Sequence, residues 1–450
     1  MRSANDTRLL TWQRVREYAV PPSMIETATV RRLAGDWAGA CAAARVDVDL
    51  HLRDVARTHG SGTSARLRAD LRHLAPDLLR WHFPRVAPDG LLRPGLTVAL
   101  ARYGPPGSAP LHLVARTAPA WADAGQRISL ALWSRADGPR GGHPHARPGR
   151  RFRFDLHRHL WDARRAGELW QRTRPDLWDA RRAGELWQRT RPDLWDAARP
   201  GYAVHRWAEE ARLLLDADGA AGAVLIRLDD GRRVLFDPGD TNAGYADARS
   251  AAGRPLLPDV ATHVPPDLEL LRAGLVEAER LHPLVAAALA PGIRPTTGRP
   301  ARRGGPIERT VHCAGARHRI ALRDGTLVPL DHDPADLERE AWLVALGGPP
   351  MPCLQAIDQV IRHPESLDDV RARLDHGDFA GALTLVEDLL GSSATLRGGA
   401  LQDELETAAL RRVTHGMFRA GMTGFCPPRH PDEVARRHRS RTRPRHAKHC

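Results

Sequence analysis

The alternation of apolar and polar positions divides the chain into helical stretches and short runs of period two. Met24, Ile25, Ala28, Val30 and Leu33 can form one apolar stripe, and Pro22 followed by Ser23 and Glu26 has the form of a capping box. A helix is therefore predicted here, stopped by Gly35. A second is predicted over residues 37–44, and a third over 63–81, where Leu67, Leu71, Leu74, Leu78 and Trp81 keep helical spacing. The period then changes. Residues 96–103, 111–116 and 127–133 are short runs of strand formers bounded by Gly and Pro, and they predict a small antiparallel sheet. Beyond Gly201 a helix over 204–215 precedes a hairpin, 223–228 with 232–236, turned at Asp229 to Gly231. Residues 237–261 are turn-rich, and helices over about 266–279 and 282–289 follow. The last part opens with strands at 310–313, 318–323 and 326–331, turned at Asp324-Gly325, before helices that run to about Ala420. The first of these helices has Asp333 as cap and Pro334 at its opening position, and it ends at Gly347-Gly348.

These elements predict an α+β chain, mostly helical with small antiparallel sheets and hairpins, multi-domain, with a basic disordered C-terminal tail. The divisions fall at a helical unit (1–93), an α+β unit (94–240), a helical segment with Pro/Gly/Arg linkers (241–306), a hairpin with a helical bundle (307–426) and the tail (427–450). Inside the second unit, residues 160–176 recur without a change at 177–193, and a third start follows at Leu194. Leu160, Ala163, Gly167 and Trp170 share one helical face in each copy, and Pro175 and Pro192 end the helices. A solenoid needs about three units, so the duplication reads as a helix copied into a loop.

The segment Val370 to Leu390 has a Gly377-Asp378-Phe379 turn followed by Ala and a Leu stripe, and it resembles the helix-turn-helix core of a tetratricopeptide repeat. Gly35-Asp36-Trp37-Ala38-Gly39-Ala40 echoes Gly377-Asp378-Phe379-Ala380-Gly381-Ala382, although no 34-residue period recurs. The resemblance implies a helical scaffold that binds partners.

Composition narrows the chemistry. The 450 residues are 42% hydrophobic, too apolar for a disordered chain. Of 67 basic residues 66 are arginine, and the single lysine is Lys448, close to the C-terminus. A P-loop, a protein kinase, a Schiff-base enzyme and a Ser-x-x-Lys acyltransferase each need a placed lysine and are excluded. Asn5 and Asn242 are the only asparagines, which removes a Cys-His-Asn triad from the last two hundred residues. The arginine and alanine bias reads as the GC-rich coding of a bacterium. Residues 139–153 hold +5 of the net charge of +13, 294–319 hold +6 and 427–450 hold +6, which leaves the rest of the chain slightly acidic. Arg150, Arg151, Arg302, Arg303, Arg436 and Arg437 are the candidate nucleic-acid contacts in those segments. No signal peptide and no membrane-spanning run is visible, which predicts a cytoplasmic protein without a membrane partner.

One cluster has the equipment of a site. His312, Cys313, His318, Asp331, His332 and Asp333 lie on or near one predicted hairpin, and imidazole with carboxylate suits a divalent metal or a general base. His312, His318, Asp331 and His332 are the candidate metal ligands. Asp331-His332 is similar to the opening of an HNH nuclease, but residues 333–348 lack that family's later Asn and His. Asp333 also serves simply as a helix cap. The cysteines Cys41, Cys313, Cys353, Cys426 and Cys450 form no C-x-x-C pair and read as reduced thiols, and the tail's His430, His438, His446 and His449 can chelate only incidentally. His-Glu-x-x-His, Gly-x-Ser-x-Gly and Gly-x-Gly-x-x-Gly are absent, and no cofactor is predicted. The leading expectation is an interaction or adaptor protein that binds another protein through helical surfaces. A nucleic-acid-associated protein and a metal-dependent hydrolase are the alternatives.

Overall fold

The computed structural model describes residues 4–104, 110–122, 126–135, 143, 146–173, 201–229, 231–239, 242–291, 309–313, 315–364, 366–393 and 395–422. The chain is mixed α+β and forms two compact units, Met1–Asp123 with Arg127–Thr297, and Gly298–Cys450 with Ala124–Gln126. The segments 1–93, 94–240 apart from Ala124–Gln126, and the described part of 241–306 thus belong to the first unit, whose main core draws on residues from Val15 to Leu289.

In the first unit a four-stranded sheet runs in the order Val46–Val48, Ile128–Ser134, Leu111–Thr117, Thr97–Tyr103. The last three strands are antiparallel, as their period-two pattern predicts, with Val114 opposite Ala131. The edge strand Val46–Val48 pairs in parallel, and at three residues it is too short to leave a pattern in the sequence. Two helical expectations need correction. Pro21 takes the N-cap position of helix Pro22–Leu33 and makes no side-chain cap, which places Ser23 inside the helix, so the capping box does not form. The helix expected over 63–81 is two helices, Ser61–His73 and Pro76–His82. Pro76 has no N–H to donate, and its ring forces the preceding residue out of helical geometry. Leu67, Leu71, Leu74, Leu78 and Trp81 are nonetheless all buried, because both pieces turn the same stripe inward.

A buried ion pair ties the N-terminal helix Ala4–Tyr18 to the far end of this unit. Arg16 donates to Asp267 through Nε at 2.6 Å and Nη2 at 2.9 Å, and Trp81 Nε1 donates to the same carboxylate at 3.2 Å. A 3-10 turn, Arg158–Leu160, leads into the first copy of the duplicated segment, whose described part contains a short helix, Glu168–Thr173. Leu160, Trp161, Ala166 and Leu169 are its buried hydrophobic residues and Trp170 is exposed, so no single helical face runs from Leu160 to Trp170. The second copy lies outside the described residues. Arg172 of the first copy and His157 both hold Glu210, each at 2.9 Å, and Arg206 pairs with it as well. A smaller core packs helix Trp207–Asp218 on a sheet of Val224–Arg227, Arg233–Asp237 and Asn242–Tyr245, the last strand lying where the sequence reads as turn-rich.

The second unit opens with three antiparallel strands, Arg309–Cys313, Ala316–Arg323 and Thr326–Pro329. Asp324 and Gly325 both have positive φ, 54° and 76°, as a two-residue hairpin turn requires. Helices Pro334–Ala345, Pro352–Arg362, Leu367–Asp375, Phe379–Leu390 and Ala400–Arg419 follow. Ile320, Ile357, Ile361, Val370, Val386, Leu390 and Leu401 form the core beneath the sheet. The two echoed Gly-Asp turns share one geometry. Gly35 and Gly377 both have φ of +80°, and the Asp that follows each accepts a hydrogen bond from the backbone N–H of Gly39 or Gly381. A Cβ on either of those glycines would lie 2.1–2.2 Å from the capping carboxylate, so this cap requires the second glycine. Among the described residues no helix is long and apolar enough to cross a membrane.

Candidate functional site

Alternation along the first strand of the second unit buries Cys313 and leaves His312 exposed on the other face. On the neighbouring strand His318 and Ile320 face the core side. His332 comes just after the third strand, immediately before the Asp333 cap, and Cys353 is the second residue of helix Pro352–Arg362, fully buried. The fold thereby brings together the sulfurs of Cys313 and Cys353 and a ring nitrogen of His332, all within 4.8 Å of one another. His332 Nε2 lies 3.3 Å from Cys353 Sγ, and the His318 ring packs on the His332 ring with centroids 4.1 Å apart.

Of the four ligands expected from the sequence, His332 joins this cluster and His318 supports it. Asp331 is engaged elsewhere, accepting from Arg319 Nη2 at 2.9 Å and from the Arg319 backbone N–H at 2.7 Å. Those hydrogen bonds hold its carboxyl down at about 2. Cys353 was missed by sequence reasoning because no local motif links it to Cys313. Burial, and then the hydrogen bond with Cys313 beside it, push the Cys353 thiol up to about 12. A cysteine beside a histidine is also the equipment of a thiol nucleophile, but a catalytic thiol needs the opposite shift and an exposed sulfur.

Between His332 and Cys353 the chain makes an excursion. Asp333 Oδ1 accepts from the Ala335 N–H at 2.9 Å and starts helix Pro334–Ala345, which contains no buried residue. Ala341 to Leu346 are six consecutive exposed apolar residues, with Trp342 73% and Leu346 84% exposed. At about 100° per residue they occupy every side of the helix end. The preceding turns hold Asp336, Glu338 and Glu340 against Arg339 alone.

The arginines expected to contact nucleic acid are divided. Arg302, Arg303, Arg436 and Arg437 lie outside the described residues. Arg151 is paired with Asp259, with Nε donating to Oδ1 at 3.0 Å and Nη2 to Oδ2 at 2.5 Å. Arg150 lines a cavity of about 360 Å³ in the first unit together with Arg102, Arg135, Arg147, Arg153 and Arg254. Asp218 pairs with Arg102 and Arg153, whereas the other four arginines form no ion pair among the described residues. His112 and Trp133 supply an aromatic wall, their ring centroids 5.5 Å apart. Burial, with Arg102 and Arg153 nearby, pushes His112 down to about 4 and keeps it neutral. No family model matches the sequence, and no curated protein or solved structure matches it.

Proposed function

We propose that this chain is a protein-interaction, adaptor-type protein whose docking element is helix Pro334–Ala345. The observation that supports the reading is the run of exposed apolar side chains from Ala341 to Leu346 on a helix that buries nothing. A helix apolar on all sides belongs in an interior, and a flat surface covers only one of its faces. The fitting partner is a protein with an apolar groove that receives Trp342 and Leu346, rimmed by basic residues that meet Asp336, Glu338 and Glu340. A photo-reactive amino acid at position 346, with the same probe at exposed Arg57 as control, tests this in the native host. The expected result is one heterologous cross-linked protein at 346, absent at 57 and lost with Glu338→Lys. Self-cross-links alone, or the same products at both positions, contradict the reading.

The arginine cavity favours a second reading, contact with nucleic-acid phosphates through Arg150 and its neighbours beside a stacking wall. It predicts binding of single-stranded oligonucleotides that weakens steeply with salt, and Arg150→Ala with Arg147→Ala lowering the salt slope by about 1 for each phosphate contact removed. Anisotropy titrations at several salt concentrations decide it, and no binding at moderate salt removes it.

A further inference from the structure

The geometry points to a binding site for a thiophilic divalent cation of the zinc type, held by Cys313 Sγ, Cys353 Sγ and a ring nitrogen of His332. Two sulfurs and an imidazole from three separate elements converge within 4.8 Å, and each element has its own reason to hold its ligand in place. Cys313 ends a strand on the core side of the sheet, and Cys353 opens an 11-residue helix. His332 is stacked on His318. Zinc takes sulfur at about 2.3 Å and nitrogen at about 2.0 Å, so tetrahedral donors sit somewhat under 4 Å apart. The three donors need close by only about 1 Å or less to meet such an ion. The set contains no carboxylate, because Asp331 is taken by Arg319, and its softness selects zinc over magnesium or calcium.

The protons balance simply. The two thiols each lose a proton to solvent as the Zn–S bonds form, the neutral imidazole donates a lone pair, and no redox change occurs. Two thiolates this close repel one another, and the cation removes that cost. The start of helix Pro352–Arg362 places its partial positive charge beside Cys353 as well. Three protein donors leave the fourth position to solvent or to a small shift of His318, whose Nδ1 is buried without a hydrogen-bond partner.

His332 and Cys353 are 21 positions apart and bracket the Pro334–Ala345 helix, so ligation would tie both ends of that excursion at its base. The metal site itself does not depend on the docking reading, and its test involves no partner.

The full chain, reduced and stripped with a chelator, is titrated with Co²⁺ and then Zn²⁺. The expected result is one ion per chain, with a sulfur-to-cobalt charge-transfer band and intense visible bands of a tetrahedral site, bleached by Zn²⁺. Cys353→Ser should lose the charge-transfer intensity and weaken binding at least tenfold, while Cys41→Ser and Cys426→Ser with Cys450→Ser leave both unchanged. Should Cys353→Ser fail to fold, mass spectrometry of the wild-type chain in mild denaturant, where these two buried thiols open to reagent, reads the same point, because Zn²⁺ should slow alkylation of Cys313 and Cys353 there. Absence of thiolate bands, bands that vanish with Cys450→Ser, or equal alkylation with and without Zn²⁺ would overturn the site.

Discussion

Two helices of the second unit, Pro334–Ala345 and Phe379–Leu390, have the same length of 12 residues and the same aspartate cap, yet opposite fates. In the second, Ala382, Val386 and Leu390 recur every four positions and enter the core. In the first, the apolar residues are bunched at the C-terminal end, so no one face is apolar and none is buried. Spacing, not apolar content, decides whether a helix packs within its own chain. The bunched helix leaves hydrophobic area for something else to cover.

The largest test of that contrast is truncation. Leu390→Ala should destabilise the second unit by about 2–5 kcal/mol, whereas Leu346→Ala should change it by less than about 0.5 kcal/mol. Denaturant midpoints measure both, and equal losses would mean that Leu346 is packed in solution.

Acid should act on the first unit next. His82 is pushed down to about 3 and His159 well below its usual value, both chiefly by burial, and both are neutral in the fold. The unfolded chain takes up these protons near 6.5 while the folded chain does not, so between 6.5 and, for His82, about 3 the unfolded state binds more protons. Stability of this unit is therefore full above 6.5 and falls as pH drops, by up to about 1.4 kcal/mol per pH unit for each histidine. Hydrogen exchange of first-unit peptides at pH 7 and pH 5, corrected for intrinsic rates, should show the loss. Unchanged protection would place these rings in contact with solvent.

The caps give the smallest and sharpest effect. Asp378→Ala and Asp333→Ala each remove an N-cap worth about 1 kcal/mol to its helix. Only Asp378, which also pairs with Arg373 at 2.8 Å in a packed helix, should lower the melting temperature of the unit. Asp333→Ala should reduce helical circular dichroism with no shift in that transition.

Much of the fold was legible because its signals are local. The period-two runs at 96–103, 111–116 and 127–133, which fold as strands Thr97–Tyr103, Leu111–Thr117 and Ile128–Ser134, the Asp324-Gly325 turn and the Asp333-Pro334 helix start each depend on a few adjacent residues. The break at Pro76 was concealed by a leucine spacing that continues across it. Trp161 was missed because its burial comes from long-range packing, not from a helical face. The site was half legible. His332 and Cys313 sat in one sequence cluster, but Cys353 reaches them only once the helix Pro352–Arg362 packs beneath the sheet. His312 faces away because strand alternation sends neighbours to opposite sides, a rule that already separates it from Cys313 in the sequence.

Among the described residues, nothing covers helix Pro334–Ala345. Hydrogen exchange of the purified chain, read at peptides spanning 334–346 and 379–390, tests it most directly. Peptide 334–346 should exchange at least about tenfold faster than 379–390, because a helix without buried contacts opens locally at little cost. Equal protection in the two helices would show that the apolar end is already buried in the isolated chain, and would contradict the account.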